Sequence, residues 1–388
     1  MLKFPENFYW GTATSAYQVE GGIKNDWTCL AGRQGVAGEK FDAGICCDHY
    51  NRFEEDFNLA KEINNNAHRF SIEWARIEPE KGKFDQKEIE HYRKVILALK
   101  ERGLEPFVTL YHWTLPVWFA EKGGPASPSQ GGWLNKDAPK DFEKFVEKII
   151  LEYKDLVKFW ITLNEPNVYV SHCYLRGDWP PFEKNYSNSQ KVLNQLVEAH
   201  KLAYKKIHEI SPRAIVGIAK NNIWYRGIIE LVLNYKWNHW FLNEIKNYQD
   251  FIGLNFYFSS SFLNFIFKNR NVSDLGWGIV PEGIYHVLKD LKKYQKPIYI
   301  TENGLADAKD EKRAKFIIEH LKWVHKAIGE GVDVRGYFHW SLLDNFEWDK
   351  GFEPHFGLIE IDYKTLQRIP RPSSKVYAGI CKNNGINL

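Results

Sequence analysis

The sequence of 388 residues is poor in sulfur and has no dominant charge. It contains one methionine and five cysteines, and none of the cysteines forms a CxxC pair. A disulfide framework or a zinc site is therefore not expected. Lys and Arg number 52 against 49 Asp and Glu, so the net charge is only +3. This balance does not favour a nucleic-acid-binding protein, which normally presents a basic surface.

Long apolar runs, short-period repeats and low-complexity linkers are also missing. No run approaches the roughly 18 apolar residues that a membrane-spanning helix needs. The N-terminal residues Met1 to Glu6 lack the apolar segment of a secretory signal. We therefore expect a cytoplasmic protein with reduced cysteines and one domain over residues 1–388. A homo-oligomer is compatible with this composition.

Aromatic residues, in contrast, are plentiful, with 15 Trp, 20 Tyr and 25 Phe. Part of this set must lie in the core. The large number of tryptophans indicates a cleft in which flat apolar faces meet the C–H surfaces of a ligand such as a sugar.

Short apolar segments alternate with helical patterns along the whole chain. Eight segments rich in β-branched or aromatic residues are candidate strands: Phe8–Ala13, Ala67–Ile72, Pro106–Leu110, Phe159–Leu163, Ala214–Ile218, Phe251–Leu254, Pro297–Ile300 and Val334–Trp340. Apolar residues recur at helical spacing over 89–99, 142–153 and 316–328. Asp137 and Ser189 are predicted N-caps.

Eight strand–helix units predict an α/β protein with a single (β/α)8 TIM barrel. A doubly wound open sheet is the alternative, because counting strands does not show that the sheet closes. That fold would carry a glycine-rich phosphate loop after the first strand. Residues 11–16 (GTATSA) do not match such a loop, and the sequence has no GxxxxGK[ST] motif.

Two glutamates stand at equivalent places, after the fourth and the seventh predicted strand. Glu165 lies in TLNEP (Thr162–Pro166) and Glu302 lies in ITENG (Ile300–Gly304). The active site of such a barrel lies at the C-terminal ends of its strands, and strands four and seven lie on opposite sides of the mouth. One such glutamate would more simply cap a turn or pair with an arginine. Two facing carboxyl groups suit glycoside hydrolysis, in which one donates a proton and the other attacks or activates water.

Seven motifs extend this observation over nearly the whole chain, from Phe4 to about Tyr377. In chain order they are FYWGTATSAYQVEG (8–21), HRFSIEW (68–74), YHWTLP (111–116), TLNEP (162–166), NFY (255–257), ITENG (300–304) and YFHWSLLDNFEW (337–348). In this order the sequence resembles glycoside hydrolase family 1, the family of β-glucosidases and β-glycosidases.

The resemblance implies that Glu165 is the general acid/base and Glu302 the nucleophile of a retaining mechanism. The two carboxyl groups should then be about 5–5.5 Å apart. At that distance the charge on Glu302 would keep Glu165 protonated near neutral pH. Arg69 matches the family arginine beneath the nucleophile, and Tyr257 matches the tyrosine that hydrogen-bonds to it. Asn164 matches the residue expected at the sugar 2-hydroxyl group.

The resemblance also implies a set of sugar-binding residues. Four positions match those that hold the other hydroxyl groups of the non-reducing sugar: Gln18, His112, Glu347 and Trp348. Trp340 matches the tryptophan that forms a platform under the sugar ring. A carboxylate at position 347 would repel a 6-phosphate, so unphosphorylated glycosides are expected. The histidines have no metal-binding spacing, so neither a metal nor a cofactor is expected.

The sequence departs from the family mainly in length. Ile218–Phe251 has room for one helix and little else, and three further segments look trimmed: Asn25–Asp48, Ser259–Leu275 and Leu305–Asp310. Gly124–Gly132 resembles a flexible insertion after the third strand. Thr114 replaces the Asp that is common in the family motif HWDLP. These changes concern the acceptor side of the site more than the catalytic centre.

We therefore expect an exo-acting, retaining β-glycosidase that acts on unphosphorylated β-D-glucosides, with β-galactosides and β-fucosides as further candidate substrates. A transglycosidase is an alternative, since it uses the same intermediate and the same residues. A catalytically silent sugar-binding protein is another, although such proteins typically lose one of the two carboxyl groups. The expected partner is a small-molecule β-glycoside, and neither nucleic acid nor a membrane is expected.

Overall fold

A computed structural model describes residues 1–30, 41–121, 131–226, 230–261 and 271–387. Its centre is a closed barrel of eight parallel strands. The strands are β1 (Tyr9–Ala13), β2 (Ala67–Ser71), β3 (Glu105–Thr109), β4 (Phe159–Asn164), β5 (Ile215–Asn221), β6 (Phe251–Asn255), β7 (Ile298–Asn303) and β8 (Val334–Trp340). The barrel closes where β8 pairs with β1. The predicted barrel is confirmed, and the open-sheet alternative is wrong.

Helices surround the barrel and alternate with its strands. They are α1 (His49–Glu62), α2 (Gln86–Glu101), α3 (Ala138–Tyr153), α4 (Tyr186–Ile210), α5 (Glu230–Asn234), α6 (Glu282–Leu291), α7 (Arg313–Gly329) and α8 (Pro372–Asn383). The three predicted amphipathic helices are confirmed as α2, α3 and α7. A π-helical turn, Tyr235–His239, joins α5 to Trp240–Glu244. In its described residues, the segment after β5 therefore holds one interrupted helix and the short strand Trp224–Arg226, close to the expectation.

Short elements complete the fold. Three small ladders pair Leu2–Lys3 with Gly385–Ile386, Ile359–Asp362 with Gln367–Pro370, and Trp224–Arg226 with Ser259–Ser261. The short helices and turns are Ala16–Val19, Asp26–Leu30, Trp74–Ile77, Val117–Ala120, Gly132–Leu134, Pro166–Val170, Ser171–Arg176, Lys292–Tyr294 and Trp348–Lys350. Within the described ranges, no helix is long and apolar enough to cross a bilayer.

Aromatic side chains fill the lower part of the barrel. Phe107 and Phe159 stack with ring centroids 4.1 Å apart, and Tyr299 and Phe338 pack against Phe107 from β7 and β8. This packed interior leaves the upper end, where the strands finish, as the place for a ligand.

Some predicted boundaries differ from the structure. Asp137 precedes α3 as predicted, but Ser189 lies inside α4, whose N-cap is Asn185. Strand β7 runs to Asn303, so Glu302 lies within it rather than just past it. The predicted insertion at 124–132 lies outside the described residues except for 131 and 132. The described residues likewise exclude 31–40 and 262–270, which belong to two of the segments that look trimmed.

Candidate active site

Glu302, in β7, has both carboxylate oxygens hydrogen-bonded. The guanidinium of Arg69, from β2, donates to Oε1, and the hydroxyl of Tyr257 donates to Oε2 at 2.6 Å. Arg69 is completely buried, and Glu302 is 4% exposed. A buried cation in contact with a carboxyl group favours its ionised form. Two donors therefore hold Glu302 in the orientation that a nucleophile needs.

Glu165 follows β4 directly and precedes the short helix Pro166–Val170. Its backbone is left-handed (φ 42°), and its N–H donates to the carbonyl of Ala219 in β5 at 2.8 Å. The Nδ2 of Asn255 donates to its Oε1 at 2.8 Å. Burial, with the charge on Glu302, raises the pKa of Glu165 to about 8. Glu165 is therefore protonated at neutral pH and can donate a proton.

One network of amides and a guanidinium joins the surroundings of the two glutamates. Arg69 Nη2 donates to Asn164 Oδ1 at 2.7 Å, and Asn255 Nδ2 donates to the same oxygen at 3.2 Å. The hydroxyl of Thr301 donates to Asn255 Oδ1 at 2.7 Å. Strands β2, β4, β6 and β7 thus hold both carboxyl groups in place before a substrate arrives.

A cavity of about 340 Å³ lies above these groups. Eight of the ten predicted site residues line it: Gln18, His112, Glu165, Tyr257, Glu302, Trp340, Glu347 and Trp348. The other two, Arg69 and Asn164, hold the residues that line it. Six tryptophans are among the lining residues: Trp113, Trp179, Trp237, Trp277, Trp340 and Trp348. The expected aromatic cleft is confirmed.

Gln18 and Glu347 lie side by side in this cavity. Gln18 Nε2 donates to the carbonyl of Phe346 at 2.9 Å and lies 3.4 Å from Glu347 Oε2. Burial, with the charge on Glu302, raises the pKa of Glu347 to about 8. An amide next to a carboxyl group offers both donors and acceptors to adjacent hydroxyl groups.

His112 lies between two indole rings, with centroids 6.1 Å from Trp340 and 6.0 Å from Trp348. Burial, with the charge on Arg69, lowers its pKa well below the usual range, so the ring is neutral. Asn164 Nδ2 can only donate, so His112 Nε2, 3.1 Å away, accepts and Nδ1 carries the proton. Nδ1 is buried and has no partner among the described residues.

Gly304 closes the ITENG segment at a point where no side chain fits. A Cβ atom there would lie 1.7 Å from the backbone oxygen of Trp340. The missing side chain therefore lets the chain after β7 approach the end of β8, which brings Trp340 close to Glu302.

Sequence reasoning missed two buried residues next to Glu165. Asn255 opens the NFY motif, from which only Tyr257 was predicted as a site residue. Lys220 lies in β5, is completely buried, and donates from Nζ to the carbonyl of Asn221 at 2.6 Å. A lysine that directly follows the apolar segment AIVGIA (214–219) was the available signal for it.

Metal ligands do not cluster in the described part of the chain, where no three His, Cys, Asp or Glu side chains could hold an ion. The five cysteines are free thiols.

The site can be compared with known proteins. The model of the family described as Glycosyl hydrolase family 1 matches residues 1–228 and 240–386. The chain belongs to this family. This family 1 enzyme is therefore a glycoside hydrolase, and its relatives show that it is a β-glycosidase.

Similar sequences carry consistent names. The enzyme is 35% identical over 451 residues to "Beta-glucosidase A" of Thermotoga maritima, with 99% of each chain covered. It is 34% identical over 450 residues to "1,4-beta-D-glucan glucohydrolase" of Thermotoga neapolitana, with 100% of each covered. It is 29% identical to "Beta-galactosidase" of Sulfolobus acidocaldarius, with 100% of this chain and 96% of the relative covered. Alignments of this length exceed the 388 residues of the chain, which is thus the shorter one.

Solved structures agree with these sequences. Beta-glucosidase from Thermotoga maritima in complex with deoxynojirimycin matches with a TM-score of 0.91 and 33% identity over the whole of both chains. Beta-glycosidase from Pyrococcus horikoshii matches with a TM-score of 0.90 and 38% identity, covering 100% of this chain and 96% of the other.

Proposed function

We propose that this family 1 enzyme is a retaining, exo-acting β-glycosidase of unphosphorylated β-D-glucosides, with β-D-galactosides and β-D-fucosides as further substrates. Two buried glutamates that line one cavity in different surroundings carry the proposal. Arg69 and Tyr257 donate to a Glu302 carboxylate, whereas burial and that negative charge keep Glu165 protonated. The names β-glucosidase and β-galactosidase among its relatives support the substrate class.

In the first step, a Glu302 oxygen attacks the anomeric carbon while Glu165 gives its proton to the glycosidic oxygen. The bond from C1 to that oxygen breaks, and the aglycone leaves as an alcohol. A new bond from C1 to Glu302 forms the glycosyl-enzyme. Tyr257 and Arg69 hold the attacking carboxylate in place during this step.

In the second step, Glu165 acts as a base. Glycosylation removes the charge from Glu302, and with it one of the causes that raise the pKa of Glu165. The ionised Glu165 takes a proton from water while the water oxygen attacks C1, and Glu302 leaves as a carboxylate. Two displacements give retained configuration. An alcohol in place of water gives transglycosylation, so that alternative uses the same site.

The remaining residues are proposed to bind the sugar. Gln18, His112, Glu347 and Trp348 contact its hydroxyl groups, Asn164 contacts the 2-hydroxyl group, and Trp340 lies under the ring. A stacked indole suits the apolar face of a pyranose. The place of His112 in the cavity lining supports its part in this set.

Azide rescue tests the two catalytic roles. Glu302→Gly should lose turnover of an activated aryl β-glucoside, and azide should restore it with an α-glucosyl azide as product, because azide replaces the nucleophile. Glu165→Ala should lose mainly substrates with poor leaving groups, and azide should give the β-glucosyl azide. Proton NMR of the isolated products measures the configuration.

Swapped configurations would show that the two roles are reversed. Full retention of turnover in both variants would rule out the mechanism. A wild-type protein that binds glucosides but releases no nitrophenol would favour the sugar-binding alternative.

A further inference from the structure

Lys220 is a buried lysine that the steps above do not use. It is completely buried in β5, between Ala219, which packs inside the barrel, and Asn221, which lines the cavity. Its Nζ donates to a backbone carbonyl, that of Asn221, rather than to a carboxylate. A buried amine without a carboxylate in contact is costly, which suggests a role beyond packing.

The surroundings of Lys220 lead directly to Glu165. Its Nζ lies 5.7 Å from the ring centroid of Trp237, whose Nε1 donates to Asn221 Oδ1 at 3.2 Å. Asn221 in turn lines the cavity together with Glu165, and its side chain lowers the pKa of Glu165, which favours the charged form. The carbonyl of Ala219, the residue before Lys220, accepts a hydrogen bond from the N–H of Glu165. The amine therefore lies behind the groups that hold Glu165.

We propose that Lys220 is a positioning residue for the second step: its buried ammonium group, held by the Asn221 carbonyl, stabilises the Glu165 carboxylate that activates water. The inference rests on the proposed role of Glu165 as the acid/base.

The timing of this effect follows from the order of proton loss. Burial lowers the pKa of Lys220 to about 7, while the charge of Glu165 raises it. In the free enzyme Glu165 ionises near pH 8, where Lys220 is already largely neutral. In the glycosyl-enzyme the charge on Glu302 is gone, so Glu165 ionises at lower pH, where Lys220 is charged. The lysine thus acts on the second step far more than on the first.

Other titratable groups also face Glu165, from every neighbouring element. They are Arg69 in β2, Glu302 in β7, Tyr257 after β6 and Glu347 after β8. Five further groups line the cavity: His112, His172, Arg176, Asp349 and Lys350. None of these groups is altered in a variant at position 220, so the effect of that variant reports the loss of the Lys220 charge.

Lys220→Met tests the proposal, because methionine keeps the length of the side chain and removes its charge. The acid limb of kcat is measured with 2,4-dinitrophenyl β-glucoside, whose good leaving group makes the second step limiting. Loss of the cation should shift the pKa of this acid limb upwards by about one unit. At pH values below the limb, kcat of the variant should then be about tenfold lower than that of the wild type. The alkaline limb of kcat/KM for 4-nitrophenyl β-glucoside should stay within about 0.3 unit of wild type.

Lys158→Met is the matched control, since Lys158 precedes β4 at the opposite end of the barrel and its loss should move neither limb. Stoichiometric labelling with a 2-fluoroglucoside gives the fraction of folded sites in each preparation. If Lys220→Met does not fold, Lys220→Gln is measured in the same way. A uniform loss of rate with both limbs unmoved would overturn the proposal. Azide products with the expected configurations in the Glu165 and Glu302 variants would show that the proposed function stands regardless.

Discussion

The carboxyl group of Glu347 changes its charge close to neutral pH. Its raised pKa, about 8, follows from burial first and from the charge on Glu302 second. Near neutral pH it is therefore mostly protonated in the empty site. In this protonated form it repels a 6-phosphate less strongly than the ionised carboxylate that the sequence analysis expected at position 347. Discrimination against phosphorylated substrates should accordingly depend on pH.

We expect kcat/KM for an aryl β-glucoside to exceed that for its 6-phosphate, and the ratio to rise about tenfold from pH 7 to pH 9. The phosphate is already ionised over this range, so the rise reports the ionisation of Glu347. The protonation of Glu165 affects both substrates alike and cancels in the ratio. Glu347→Gln, which cannot ionise, should abolish the rise. A preference for the phosphate at any pH would contradict the assignment.

For single residues, the motifs predicted which side chains the strand ends bring together, because each residue proposed as catalytic lies in a recognisable local sequence. Lys220 lies outside these motifs, and Asn255 lies in one of them without its contacts being evident from it. Their importance depends on which carbonyl or carboxyl group lies opposite them across the barrel, as in the contact from Asn255 to Glu165. The sequence of one strand does not contain that information.

The types of the helices and strands were predicted correctly, but some of their ends were not. All eight strands were found, but β7 continues past the apolar run, since its ladder with β8 resumes at Asn303 opposite His339 after a register shift. The start of α4 was misplaced for a related reason. Asn185 and Ser189 are both good caps, and only the path of the chain selects Asn185. Ser189 instead donates to the carbonyl of Tyr186.

The loops after β2 and β3 meet through a buried carboxyl group. Thr114, at the position where the family motif commonly has Asp, donates to Glu73 Oε2 at 2.8 Å. Burial raises the pKa of Glu73 from 4.5 to about 7. Between these two values the folded protein binds a proton that the unfolded chain has lost. The contribution of this group to stability is therefore full below about pH 4.5 and is lost as the pH rises towards 7.

Glu73→Gln should remove this loss, because the amide stays neutral and still accepts from Thr114. We expect its melting temperature to equal that of wild type at pH 4 and to exceed it by a few degrees at pH 8. Scanning calorimetry over this range measures the difference. Glu54→Gln, at an exposed site on α1, should show no such divergence. Parallel curves for Glu73→Gln and wild type would refute the argument.

For the molecule as a whole, the short chain matters most at the acceptor side. The alignments of 450 and 451 residues extend well beyond its 388 residues, and all the residues proposed for the catalytic centre are nevertheless present. The segments between strands and helices build the rim of a barrel site, so a short chain should have lost rim rather than chemistry. The single domain, the cytoplasmic location and the homo-oligomer stay predictions.

An open rim predicts weak use of extended substrates. From cellobiose to cellotetraose, kcat/KM should rise far less than tenfold per added glucose, since a formed subsite contributes about 1.4 kcal/mol or more. Any interaction lost with the rim should appear in KM rather than in kcat. Steady-state kinetics on the three oligosaccharides measures this. A tenfold gain at each step would reveal a complete acceptor cleft, built by this chain or by a second subunit.

The ladder between β1 and β8 also determines when the barrel can form during synthesis. The partner of Tyr9–Ala13 is Val334–Trp340, made about 320 residues later. At 5–20 residues per second, the ribosome needs roughly 16–64 s to supply it. Throughout that time the first strand has an unpaired edge, which is a template for aggregation. The nascent chain therefore exposes an aggregation-prone edge until the last strand leaves the exit tunnel.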